Sequence, residues 1–111
     1  MFLPKGTTDL DGNELHSGLR IDNRNLIDEW KQKMIRNNKR FKFVWNATDL
    51  RKSEFRNYEH VLGLMAYDHL SYETFRDPKL EPSLAEMVEK AVDLLSQNKN
   101  GYFLFVEGNQ I

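Results

Sequence analysis

The chain has 111 residues and a mass of 13.2 kDa, with 40% apolar and 30% charged positions. Its seven Phe, four Tyr and two Trp exclude the composition of a disordered segment and allow a packed core. Sixteen basic residues against seventeen acidic leave a net charge of −1, so no overall field draws the chain to nucleic acid or an anionic membrane. The absence of cysteine excludes a disulfide framework and thiolate metal sites. No apolar run approaches membrane-spanning length, and the opening Met1-Phe2-Leu3-Pro4-Lys5-Gly6 lacks the charged and apolar regions of a secretory signal, so the chain reads as soluble and unaddressed.

Residues 1–22, rich in Gly, Asp, Thr and Asn, show no periodicity and read as a surface loop. Leu26, Ile27, Trp30, Met34 and Ile35 then recur at helical spacing, with Asn25 placed to cap and Asp28 in the first turn. They predict a helix over 23–40. Phe41, Phe43 and Trp45 alternate with Lys42 and Val44, predicting a strand over 41–46. A polar stretch to Glu59 carries no further prediction, and His60-Val61-Leu62-Gly63-Leu64-Met65 predicts a strand over 60–66.

Pro78 and Pro82 punctuate the chain before Ser83-Leu84-Ala85-Glu86, a capping box that starts a helix over 83–98 with Leu84, Met87, Val88, Ala91 and Leu95 on one face. Gly101 suits the left-handed exit, and Tyr102-Phe103-Leu104-Phe105-Val106 is a continuous apolar run, predicting a buried strand over 101–107. Strand, helix and strand joined by short connections imply a crossover unit. The expected fold class is α/β, a mainly parallel central sheet flanked by helices.

In such sheets a ligand sits beyond the carboxyl ends of the strands, and Glu107 is the first residue after the buried run. A carboxylate there can ligate Mg²⁺ or act as a general acid or base, and it can equally be a solvent-facing turn residue. His16, His60 and His69 lie in three segments without the spacing of a zinc site and read as surface or hydrogen-bonded histidines. No G-x-S-x-G or phosphate loop supplies a nucleophile or an anion cradle. The basic cluster Lys31, Lys33, Arg36, Lys39, Arg40 and Lys42 reads as the solvated face and last turn of a helix rather than a phosphate patch. Asn46-Ala47-Thr48 is a glycosylation acceptor, weak by itself. Asn46 is expected to be exposed and Trp45 beside it buried.

Four separated blocks resemble animal alkaline phosphatases in order and spacing: Phe43-Val44-Trp45-Asn46-Ala47-Thr48, Leu62-Gly63-Leu64, Pro82-Ser83-Leu84-Ala85-Glu86-Met87, and Gly101 through Gly108. The opening Met1-Phe2-Leu3-Pro4 and Asn25-Leu26-Ile27-Asp28-Glu29-Trp30 are similar to the same family, so the resemblance spans the whole chain. It implies a metal-dependent phosphomonoesterase in which Glu107, in the V-E-G block, ligates magnesium. Two zinc ions whose ligands lie outside this chain would activate a serine nucleophile, also outside it. It further implies phosphate monoester substrates, a homodimer and a glycan at Asn46. The enzyme would be secreted or held on the extracellular face of the plasma membrane by a GPI lipid anchor lying outside these residues.

The departures are specific. The family continues V-E-G with G-R-I and a D-H-G-H-H run carrying zinc ligands, whereas Asn109-Gln110 stand here before Ile111, which implies a fragment, inactive alone. Met65-Ala66 occupy the place of a Phe-Glu pair near a calcium site, which removes one calcium ligand and leaves Glu81 as a remaining candidate. The alternative to a phosphatase fragment is a truncated, non-catalytic α/β interaction protein.

Overall fold

The computed structural model describes residues 1–8, 10 and 17–109. They form two compact units, one ending at Phe41 and one beginning at Lys42, each built around its own helices.

In the first unit the chain is stitched to itself before its helix begins. Pro4 and Arg20 form an isolated parallel bridge, with Lys5 N–H donating to the Arg20 carbonyl at 2.8 Å and Gly18 N–H to that of Thr7 at 2.7 Å. A Cβ at Gly18 would lie 2.1 Å from the Pro4 carbonyl oxygen, so only glycine allows the two backbones to approach this closely. His16 lies outside the described residues. Helix α1 runs Leu26–Arg36, three turns inside the wider 23–40 window. The Asn25 side chain accepts from Asp28 N–H, and Lys33 and Arg36 place positive charge against the negative end of the helix dipole. The exit is sharp because Asn38 takes φ +50°, a left-handed conformation that an α-helix cannot continue through. Ile27 and Met34 are buried. Trp30 meets Phe41 edge-on with ring centroids 5.3 Å apart.

The second unit carries the sheet. Strand β1 (Phe41–Val44) pairs with β2 (His60–Gly63) in a two-stranded parallel sheet, extended by Leu64 N–H donating to the Val44 carbonyl at 3.0 Å. The fold is α/β, as the sequence leads one to expect. Parallel strands need a crossover of a dozen or so residues, and it comes from the polar stretch for which no element was predicted. Helix α2 (Ala47–Lys52) and a 3₁₀ turn at Phe55–Asn57 fill it. β1 therefore ends at Val44, short of the expected Asn46, because Asn46 leaves the ladder to cap α2. Its side chain accepts from Asp49 N–H at 2.7 Å.

Val44, Leu50 and Phe55 form the buried cluster of this unit, with Tyr58, Val61, Met65, Met87 and Leu94 packed around it. Met87 and Leu94 come from helix α3 (Leu84–Leu95), which starts at Ser83 with both bonds of the capping box in place. Pro82, just before it, is fully buried. Arg51 of α2 grips Glu86 of α3 with two bonds, at 2.7 and 3.1 Å. The Lys90 ammonium donates to the Ser53 carbonyl at 2.9 Å while standing 5.7 Å from the Phe55 ring centre.

Beyond α3 the structure departs from the expected buried strand over 101–107. Gly101 has φ +85°, and Tyr102 to Val106 form no ladder among the described residues. Phe103 is 84% exposed and Phe105 75% exposed. A strand is defined by the neighbour that takes its N–H and C=O groups, and β1 and β2 pair with each other rather than with this run. The expected unit of strand 60–66, helix 83–98 and strand 101–107 is therefore replaced by the β1–α2–β2 crossover, with α3 packed against its core.

Candidate functional site

Glu107 follows the apolar run directly and is itself exposed. Because that run has no ladder, Glu107 does not stand at the end of a central strand among the described residues, in contrast to the sequence expectation. Its carboxylate is a hard oxygen donor of the kind Mg²⁺ accepts. Among the described residues, however, no group of three or more His, Cys, Asp or Glu is gathered that could hold a metal ion. The donor type fits magnesium, but no site for the ion is gathered around it among the described residues.

His60 sits at the start of β2 and is exposed. His69 is also exposed, 3.9 Å from Asp68, its neighbour in the chain. Neither belongs to a group of three or more zinc-ligand side chains among the described residues. Lys33 and Arg36 of α1 line an open groove together with Arg24, Asp28 and Glu29, among others. Part of its positive charge is answered, since Arg24 holds Glu29 through bonds of 2.9 and 2.6 Å, and Asp28 adds a second carboxylate to the lining. The Arg24 hydrogen bonds hold the Glu29 carboxyl below its ordinary range. A mixed-charge groove of this kind is a poor phosphate cradle.

Asn46 and Trp45 are both half-buried, so neither matches the expectation of an exposed Asn beside a buried Trp. The cause is α2, which recruits the Asn46 side-chain oxygen as its cap and turns the residue inward. That bond uses Oδ1, whereas a glycan would be carried on Nδ2.

The segment between β2 and α3 carries a polar network of its own. Arg76 is held to Glu73 by two bonds of 2.8 and 2.7 Å, and its Nη1 donates to the Glu81 carbonyl at 3.2 Å. The Glu81 carboxylate accepts from Ser71 N–H at 3.3 Å. Ala66, where the resemblance sets a calcium-site glutamate, has no side-chain oxygen to offer a cation. Sequence reasoning missed Arg76 altogether. The available signal was Glu73 three residues before it, a spacing that lets the two side chains meet across a single turn. Hydrogen bonds from Arg51 and then from Ser83 N–H pull the Glu86 carboxyl down to about 2, so it stays ionised at the head of α3.

No described helix is long and apolar enough to cross a membrane. The family model for alkaline phosphatase matches residues 1–111. Among curated proteins, the chain is 40% identical over 110 residues to a membrane-bound alkaline phosphatase of Bombyx mori, covering 99% of this chain and 20% of that protein. It is 41% identical to an alkaline phosphatase of Gadus morhua, covering 97% and 23%. To the human tissue-nonspecific isozyme it is 38% identical, covering 97% and 21%. The chain thus spans about a fifth of the length of these relatives. With a family match across its whole length, the chain belongs to the alkaline phosphatase family.

Proposed function

We propose that these residues act as one section of a zinc- and magnesium-dependent phosphomonoesterase, to which they contribute Glu107 as a magnesium ligand and the β1–α2–β2 and α3 scaffold before it. The observation that carries this reading is the Gly101–Gly108 block. An apolar run that lies 75–84% exposed at Phe103 and Phe105, followed by a carboxylate in the family's V-E-G position, makes physical sense as a sheet strand completed by further chain and delivering Glu107 to its end. A magnesium ion bound there would orient and polarise a water. Glu107 would supply the negative charge and hard oxygen that hold the cation, and Gly108 the freedom to turn the chain away from it.

Phosphate monoesters as substrates, the two zinc ions, a homodimeric assembly, a glycan on Asn46 and a lipid-anchored extracellular location are proposed on the same family grounds. The name of the silkworm relative, a membrane-bound enzyme, supports the last. The 111-residue chain on its own should not turn over, because a lone carboxylate cannot form and resolve a phosphoenzyme without a nucleophile.

The test is hydrolysis of p-nitrophenyl phosphate with zinc and magnesium supplied, on the full-length polypeptide containing this segment and on residues 1–111 alone. Turnover by the first and none by the second is expected. An inactive full-length protein with its metals bound, or metal-dependent turnover by the short chain, would overturn the proposal.

A further inference from the structure

We propose that in this chain the Arg76 guanidinium, and not a divalent cation, is the positive charge that fixes the segment from Ser71 to Glu81 ahead of α3, making the segment indifferent to calcium. The inference rests on family membership and on this segment's own geometry, and none of its tests reads phosphate hydrolysis.

Three observations converge on it. Ala66 removes a carboxylate from the place where the family carries a calcium-site glutamate, and Met65 beside it is packed against the Val44–Leu50–Phe55 cluster. The one candidate that remains, Glu81, is already engaged on both its backbone and its side chain. Its carbonyl accepts from Arg76 at 3.2 Å and its carboxylate from Ser71 N–H at 3.3 Å. Arg76 itself is well covered, its side chain only 13% exposed, with Glu73 held in a two-pronged bond and Glu81 and Glu86 close enough to stabilise its charge. A guanidinium is always charged and its fork is rigid, so it can close such a loop permanently, whereas a bound ion does so only while its concentration holds. A calcium ion entering here would meet the like charge of Arg76.

The rest of the segment is closed by its own backbone. Asp77 accepts Lys79 N–H on its side chain at 2.8 Å, and its carbonyl accepts Leu80 and Glu81 N–H at 3.1 and 2.9 Å. Glu81 is thereby turned back toward the buried Pro82 and the α3 cap without help from a ligand.

Limited chymotrypsin digestion of the full-length protein reads the segment directly, since Phe75 is 80% exposed, Leu80 69% and Tyr72 53%. Zinc and magnesium are kept saturating, and protease activity is normalised on a free peptide. The expected result is the same cleavage rate within the segment with and without added calcium, and a several-fold faster rate in Arg76→Ala. Glu73→Gln, which weakens the two-pronged bond but keeps the arginine, should also cut faster, and it serves if Arg76→Ala does not accumulate. Slower cleavage of the wild-type segment on adding calcium would overturn the proposal, as would unchanged rates in both variants.

Discussion

Two aromatic stretches of this chain meet opposite fates. Phe41 to Phe55 contains Val44, Leu50 and Phe55, each buried to within 4%. Tyr102 to Val106 is richer still in apolar residues, yet its four largest exposed side chains range from 45% to 84% accessible. The difference lies in where each finds its partners. The first stretch folds through local bonds, since Asn46 caps α2 from within four residues and α2 carries the chain back to lay β2 beside β1. The second has only an extended backbone, whose donors and acceptors must be met by another strand. Apolar composition alone does not bury a segment.

The comparison can be broken most forcefully at Phe55, which is 3% exposed and lies under the Lys90 ammonium. Phe55→Ala should cost about 3–5 kcal/mol, the usual consequence of emptying an aromatic core site. It is read as a lower denaturation midpoint of the full-length protein at unchanged m-value, and a loss below about 1 kcal/mol would mean that the cluster is not the core of this unit.

A smaller effect is expected where α2 and α3 are clamped. Ser83→Ala removes the cap of α3 and should cost about 1 kcal/mol. Glu86→Gln keeps a capping-box side chain but loses the ionic half of the Arg51 contact. The pair is about one-third exposed, so this too should cost no more than about 1 kcal/mol. The pH dependence has a definite sign. Arg51 and then Ser83 N–H lower the Glu86 carboxyl from its ordinary 4.5 to about 2, so the clamp is fully present above about pH 4.5 and is lost as pH falls toward 2. The stability gap between wild type and Glu86→Gln should therefore shrink across that window, and a gap that widens on acidification would refute the assignment.

The smallest thermodynamic effect is expected in the exposed run when residues 1–111 are studied alone. Phe103→Ser with Phe105→Ser should leave any unfolding midpoint nearly unchanged, because these side chains are 84% and 75% exposed, while raising the fraction that sediments as monomer. In the full-length protein the same pair should be destabilising, because there the run is proposed to be a sheet strand. Equal behaviour in the two settings would erase the distinction between the regions.

What could be read from the residues follows the same division. Helix α3 was legible because its start signal is local and chemical: Ser83 and Glu86 satisfy each other's backbone groups whatever lies elsewhere. Helix α1 was legible from Asn25 and the apolar spacing, but not its last turn, which Asn38 ends by taking φ +50°. Helix α2 escaped notice because six residues with only Ala47 and Leu50 buried make too short a period to detect, although Asn46 three residues before Asp49 was a usable cap signal. The run after Gly101 looked like a strand because composition records preference for a sheet and not the presence of one. Glu107 stood out by its place after the apolar run, but the magnesium role came only from the family block around it, since no local physics separates a metal ligand from a turn carboxylate until the other ligands are in place.

The central claim is that Glu107 holds magnesium in a longer phosphatase, and elemental analysis of the purified full-length protein beside its Glu107→Ala variant tests it most directly. The variant is expected to retain both zinc equivalents, lose most of its magnesium and turn over more slowly. Magnesium content equal to wild type, or zinc and magnesium lost in equal proportion, would contradict it.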